Sequence, residues 1–310
     1  VRVLLAFSTT ILLLIGAPRA VSPAVPLSAP TPVATFDVGS LHVTQYGSGS
    51  QTLIFIPGLT CGPWEWSGQI AHFASRYTIY ALTLPGFDRE PAIDGPLFPT
   101  TTADFWRLLD EKHITKPVIV GHSLGGTMGF MLATQHPERL AGVVSVDGLP
   151  IHPLAVVMPA ASVKVMAARL AERMATMSPS QFAQFQRTSV LPSLVTSSQD
   201  VDAIAALAAK SDPPATGKWF EEDLTLDLRP ALTQARIPIL LLAPYQAAVD
   251  AQYHLPTIEA KRDFYAGIVQ NAPHVTVTMI PNSRHFAMYD QPQALTDDIA
   301  AFLAMAFGVP

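Results

Sequence analysis

A single cysteine, Cys61, serves all 310 residues, so the chain closes no internal disulfide and must be stabilised by packing. Charge is scarce as well, with only 14% of residues Asp, Glu, Lys or Arg. The formal net charge is −5, and the Lys and Arg residues are scattered rather than grouped. That excludes the basic stripe of a nucleic-acid-binding surface and electrostatic anchoring on an anionic membrane. No His, Cys, Asp or Glu cluster has the spacing of a metal site. No Gly-x-Gly-x-x-Gly opens a helix after a strand, so neither a metal nor a cofactor is expected. A long apolar span is also missing. The run over 3–15, broken by Ser8, Thr9 and Thr10, is shorter than the roughly 18–20 residues of a membrane-spanning helix, so no stable membrane anchor is expected.

What is present is a targeting pattern followed by a globular one. Arg2 precedes the apolar run, and Gly16-Ala17-Pro18-Arg19-Ala20 follows it with small residues suited to cleavage. A signal peptide over 1–20 and export to the periplasm or the medium are therefore expected, with Ala20 or Ala24 the last residue removed. Residues 21–32, dense in Pro, Ser and Ala, read as an extended linker. Beyond it, a hydrophobic content of 49% predicts a sizeable buried core.

Two short strand-like runs, 33–38 and 41–46, come first. Leu53-Ile54-Phe55-Ile56 is continuously apolar, as in a strand buried on both faces. The pattern then alternates: a helix over 64–74, a strand over 77–84, a helix over 102–112, a strand over 117–120, a helix over 124–135 and a strand over 140–146. Strands alternating with helices predict a mostly parallel, twisted sheet with helices on both faces. From 150 to 233 the alternation stops, and helices are predicted over 161–177, 180–188 and 201–210. It resumes with strands over 237–243 and 275–280 and helices over 257–270 and 292–307. The core is thus 33–149 plus 234–310, and 150–233 is a helical cap on the sheet's C-terminal edge, where open α/β sheets bind ligands.

Gly121-His122-Ser123-Leu124-Gly125-Gly126 lies between a predicted strand and a predicted helix, and it fits Gly-x-Ser-x-Gly. A tight strand-to-helix turn exposes the serine hydroxyl, and side chains two residues to either side would collide there, hence the glycines. The helix N-terminus behind Ser123 favours developing negative charge.

With that motif, the chain from about 33 to 307 resembles the α/β-hydrolase family, in its capped, serine-esterase-like branch. The resemblance implies Ser123 as nucleophile and His285, between the last strand and the last helix, as its base. It also implies an oxyanion hole from the backbone N–H groups of Leu124 and of Leu59, in the loop after the third strand. There Pro57-Gly58 replaces the family's usual His-Gly. Cys61, in the same loop, lacks the strand-turn-helix setting of a nucleophile. His122 should point away from Ser123.

The acid of the triad is open between two residues. The family's usual place after the seventh strand holds Gln246, which cannot carry the charge that stabilises an imidazolium. Asp147 ends the sixth strand, where some members of the family keep their acid, and needs only strand geometry; Asp250 would need its loop to fold back. Asp147 is put first and Asp250 kept as the alternative. Related dehalogenases and epoxide hydrolases use Asp where Ser123 stands. The expected reaction is therefore hydrolysis of a small-molecule carboxylic ester through an acyl-enzyme intermediate. Alternatives are amide, peptide or lactone cleavage on the same residues and, from another class, a low-turnover ligand-binding protein, which Gln246 would favour.

Overall fold

The computed structural model describes residues 30–308; the expected signal peptide at 1–20 and the linker up to residue 29 lie outside the described residues. Eight strands form one sheet: β1 (Ala34–Val38), β2 (Leu41–Tyr46), β3 (Thr52–Ile56), β4 (Thr78–Thr83), β5 (Val118–His122), β6 (Gly142–Val146), β7 (Ile239–Tyr245) and β8 (Val275–Pro281). Their spatial order is β1-β2-β4-β3-β5-β6-β7-β8. Only β2 runs antiparallel to its neighbours; every pairing from β4 to β8 is parallel.

The helices of the core are α1 (Ser67–Phe73), α2 (Leu97–Glu111) and α3 (Leu124–Gln135). Between β6 and β7 come α4 (Pro153–Val157), α5 (Ala160–Ala175), α6 (Pro179–Phe185), α7 (Leu191–Leu194), α8 (Ser198–Ala208) and α9 (Pro213–Thr225). The chain closes with α10 (Ala247–Asp250), α11 (Ile258–Val269), α12 (Ala287–Asp290) and α13 (Pro292–Phe307). Successive side chains of a strand point to opposite faces, and the apolar run in β3 uses both. Ile54 and Ile56 join the core under α2, α3 and α11, while Leu53 and Phe55 join the one under α1 and α13.

Three departures from the sequence expectation have physical causes. The helix expected over 64–74 is split into a 3₁₀ turn, Pro63–Trp66, followed by α1. Helix α2 begins at Leu97 rather than near 102, because the Glu222 carboxylate accepts the free N–H groups of Leu97 and Phe98 at 2.7 and 2.9 Å. A negative group there satisfies orphan donors and the helix dipole together. Helix α9, which opens on Pro213-Pro214, is not among the helices expected from the sequence. Both prolines occupy its first turn, where proline costs nothing, and Asp212 caps it by accepting the Ala215 N–H at 2.7 Å.

The helical insertion lies along the C-terminal ends of the parallel strands. Asp212 N–H donates to the Gly86 carbonyl at 2.7 Å, Arg89 N–H to Lys210 at 3.0 Å, and the Trp219 indole to Pro85 at 3.0 Å. Within it α5 and α9 pack closely around Val163, Ala167 and Leu224, Gly217 allowing the backbone of Ala171 to approach. No helix among the described residues is long and apolar enough to cross a membrane.

Candidate active site

Ser123 occupies the turn from β5 into α3 with φ 51° and ψ −118°. A non-glycine residue there costs about 1–3 kcal/mol, so the surroundings must hold it. They do so through the backbone: Ser123 N–H donates to the Val146 carbonyl at 2.9 Å, and the Thr127 N–H returns to Ser123 at 2.9 Å. The flanking glycines are steric necessities. A Cβ on Gly121 would overlap the Gly125 carbonyl, and one on Gly125 would overlap the carbonyl of Ile56. Ser123 stays partly exposed, and its hydroxyl has no hydrogen-bond partner among the described residues.

The loop after β3 comes up beside it. Gly58 is close enough that an added Cβ would lie 3.4 Å from that of Ser123. Gly58 and Cys61 close a turn, the Cys61 N–H donating to Gly58 at 3.1 Å, with Thr60 at φ 66°. Leu59 is the first central residue of that turn, and Leu124 is the first residue of α3, where an N–H has no intrahelical acceptor. Of the two amides expected to serve an oxyanion, that of Leu124 follows the serine directly and that of Leu59 belongs to the turn beside it.

His285 follows β8. Its Nδ1 lies 2.6 Å from Asp147 Oδ2, and since a carboxylate only accepts, Nδ1 carries the proton and Nε2 the lone pair. Asp147, just past β6, also has positive φ (51°), its N–H donating to Leu242 at 2.9 Å. The second oxygen of Asp147 accepts the Tyr265 hydroxyl at 2.6 Å. Burial works to raise the Asp147 pKa, but the hydrogen bond and charge of His285, with Lys261 and Tyr265, outweigh it and hold the carboxyl below its usual range. Burial and the neighbouring His122 lower His285 below an ordinary imidazole, against the upward pull of Asp147. Its ring is neutral near pH 7.

Asp250 is not brought to His285. It lies in α10 with Oδ1 2.8 Å from Lys261 Nζ, and Oδ2 accepts the Gln246 N–H at 2.7 Å. Its oxygens are spent on local structure.

Sequence reasoning passed over the partners of several neighbours, including those of His122. Tyr265 sits one turn after Lys261 on α11, a spacing that puts both on one helix face. His122 is buried, and its ring nitrogens face Glu65 and the His285 carbonyl. A glutamate between two tryptophans, in Trp64-Glu65-Trp66, was the available signal. His152, where the insertion begins, accepts the Leu154 N–H at Nδ1, so its proton sits on Nε2. Burial first, and the His285 charge second, bring its pKa down to about 4. Burial lifts Asp223, on α9, to about 7, against a hydrogen bond with Thr127. Away from these residues, Asp37, His42 and Glu90 offer ligand atoms within 4.8 Å of one another, a grouping that could hold a metal and that their spacing in the sequence did not suggest.

A family model described as alpha/beta hydrolase fold matches residues 51–292. A pimeloyl-[acyl-carrier protein] methyl ester esterase of Aeromonas hydrophila is 31% identical over 114 residues, 36% of this chain and 42% of that protein. An epoxide hydrolase of Caballeronia sordidicola is 35% identical over 108 residues, 34% of this chain and 32% of that protein. The chain spans less than half the length of the curated relatives it matches. A thermophilic esterase from Thermogutta terrifontis superposes with a TM-score of 0.71 at 19% identity, covering 88% of this chain and 99% of that one. With the matched segment running from just before β3 to the start of α13, the chain belongs to the α/β-hydrolase fold family.

Proposed function

We propose that this protein is a serine hydrolase that cleaves small-molecule carboxylic esters. The observation that carries the reading is the 2.6 Å contact of His285 Nδ1 with Asp147 at the strand ends beside the strained Ser123 turn. Ser123 Oγ attacks the ester carbonyl while His285 Nε2 takes its proton, a step a free serine hydroxyl performs poorly. Asp147 holds the imidazole in the required tautomer and stabilises the imidazolium. The amides of Leu59 and Leu124 receive the oxyanion, a contribution worth roughly two to three orders of magnitude per donor. His285 then protonates the leaving alcohol, and water repeats the sequence on the acyl-enzyme.

Epoxide opening, suggested by one relative's name, is opposed by Ser123 itself, since the epoxide-opening branch carries a carboxylate nucleophile there. The low-turnover alternative drew on Gln246 at the usual acid position, and the Asp147–His285 contact supports the hydrolytic reading instead. The test is a fluorophosphonate probe together with a panel of esters graded by acyl and alcohol size. Stoichiometric labelling at Ser123 with ester turnover is expected. Labelling elsewhere, or turnover that survives Ser123→Ala, overturns the reading.

A further inference from the structure

Behind Ser123, on the side away from solvent, lies a buried pair that this mechanism does not use. Glu65 and His122 have side chains 0% and 1% exposed, with Glu65 Oε2 3.2 Å from His122 Nδ1. The Gly58 N–H donates to the same carboxylate, 3.1 Å from Oε1. On the far side of the ring, His122 Nε2 is 3.1 Å from the His285 carbonyl oxygen. Three elements meet here: the loop after β3, the end of β5 and the loop after β8.

The protons can be counted. The His285 carbonyl only accepts, so Nε2 of His122 is an N–H donor. A Glu65 carboxylate also only accepts, so Nδ1 must donate as well. The alternative, a protonated Glu65 giving its proton to Nδ1, is disfavoured because the carboxylate accepts Gly58 as well, and donated hydrogen bonds favour the ionised form. His122 therefore holds both ring protons against an ionised Glu65. Trp66, Phe286 and the His285 ring enclose it, with centroids 6.4, 5.0 and 4.6 Å away. In that dry setting every bond of the set must be made, because an unpaired member is costly.

We propose that Glu65 and His122 are positioning residues for the reaction above, a carboxylate–imidazolium pair that ties the Gly58–Leu59 amide loop to the main chain of His285. The inference rests on the serine-hydrolase reading. Glu65 fixes the Gly58 peptide, and thereby the turn that presents Leu59 N–H; His122 fixes the loop that presents the His285 ring. One pair thus sets two distances that the tetrahedral intermediate needs at once, oxyanion to amide and base to leaving group.

Chemistry distinguishes this from simple core filling. A carboxylate and an imidazolium fill every donor and acceptor position of the set, so a side chain at 65 that cannot both accept from Gly58 and meet Nδ1 breaks a tie. The other titratable groups around the pair are His285, Cys61 and Tyr289, with Asp88 and Asp200 further out. Burial and the Glu65 charge push the Cys61 thiol up, and burial does the same to Tyr289. Glutamine at position 65 would keep all three links without an ionisable proton. Its carbonyl accepts Gly58 and its amide donates to Nδ1 of a neutral His122, whose Nε2–H still serves the His285 carbonyl.

The experiment compares Glu65→Gln and Glu65→Ala with the unaltered protein by steady-state kinetics and by ¹⁵N spectra of the histidine rings. Expected are a kcat within tenfold in Glu65→Gln and a kcat loss of about 100-fold in Glu65→Ala. The spectra should show two protonated nitrogens on His122 in the unaltered protein and one in Glu65→Gln. A Glu65→Gln variant as impaired as Glu65→Ala, or a singly protonated His122 in the unaltered protein at neutral pH, overturns the proposal. The spectra need no turnover, so they decide on the pair even if the protein proves inert to esters. Should Glu65→Ala not fold, Glu65→Gln alone decides.

Discussion

The turns after β6 and β7 are adjacent at the same sheet edge, and each holds a carboxylate with little exposure, Asp147 at 10% and Asp250 at 8%. One helix serves both. Lys261 on α11 meets Asp250 at 2.8 Å, and one turn later Tyr265 meets Asp147 at 2.6 Å. The difference is in what remains. Asp250 divides its oxygens between Lys261 and the Gln246 amide of its own turn, so its charge is neutralised by fixed scaffold. Asp147 spends one oxygen on a neutral hydroxyl and turns the other to His285, a residue that must change its charge to act as a base. A carboxylate answered by a permanent cation is structural; one answered by a titratable group can do work in a reaction.

Removing the proposed nucleophile sets the floor against which the two turns are measured. Ser123→Ala is expected to cost about a millionfold in turnover, with probe labelling lost and the circular dichroism unchanged. Asp147→Asn should come next, at roughly four orders of magnitude in kcat, since an amide there stabilises the wrong imidazole tautomer. Comparable activity in Asp147→Asn and the unaltered protein would erase the distinction between the turns. Asp250→Asn should cost at most about tenfold in kcat but lower stability by about 3 kcal/mol, because Lys261 is left buried without its countercharge. Urea denaturation would show this as a lower midpoint with an unchanged slope.

Acidity separates the turns again. Because burial and His122 depress His285, its neutral form persists to lower pH than in a free imidazole. The acid limb of kcat/KM is therefore expected below pH ~6.5, with activity lost as pH falls through it. Asp250→Asn should leave that limb where it is. A limb above pH 7 would contradict the environment described for His285.

The same contrast explains what was legible in the sequence. Strand and helix order could be read because the apolar periodicities are local, and the Ser123 turn because its glycines sit two residues to either side. The partners of the site could not be read that way. Tyr265 reaches Asp147 across 118 residues, His122 reaches Glu65 across 57, and the His285 carbonyl is 163 residues from His122. Gln246 left the acid open between Asp147 and Asp250 for a related reason. It marks a turn whose acid, Asp250, had been spent on a lysine that no local pattern connects to it. Helix α2 makes the same point for the fold, since its start is set by a glutamate 125 residues away.

The smallest expected effect is the most discriminating, and it concerns Tyr265. Its hydroxyl donates to Asp147 Oδ1 at 2.6 Å from a fully enclosed position on α11, while burial and the Asp147 charge push its own pKa well up, so it stays a donor throughout the working range. Hydrogen bonds to a charged acceptor contribute about 1.5–3 kcal/mol, yet Tyr265→Phe leaves the Asp147–His285 bond in place. Turnover at pH 8 is therefore expected to fall only about threefold to tenfold. The direction of the pH effect carries the information. A carboxylate that loses one donor is a stronger base, it holds the imidazolium of His285 more firmly, and the acid limb moves to higher pH. If the hydroxyl were merely a spacer filling the gap between α11 and β6, the variant would lose stability and leave the limb unmoved. Profiles of Tyr265→Phe and the unaltered protein on one ester, with folding verified by urea midpoints, decide between the two. A limb that shifts to lower pH would contradict both and place the main hold on the His285 proton outside the turn after β6.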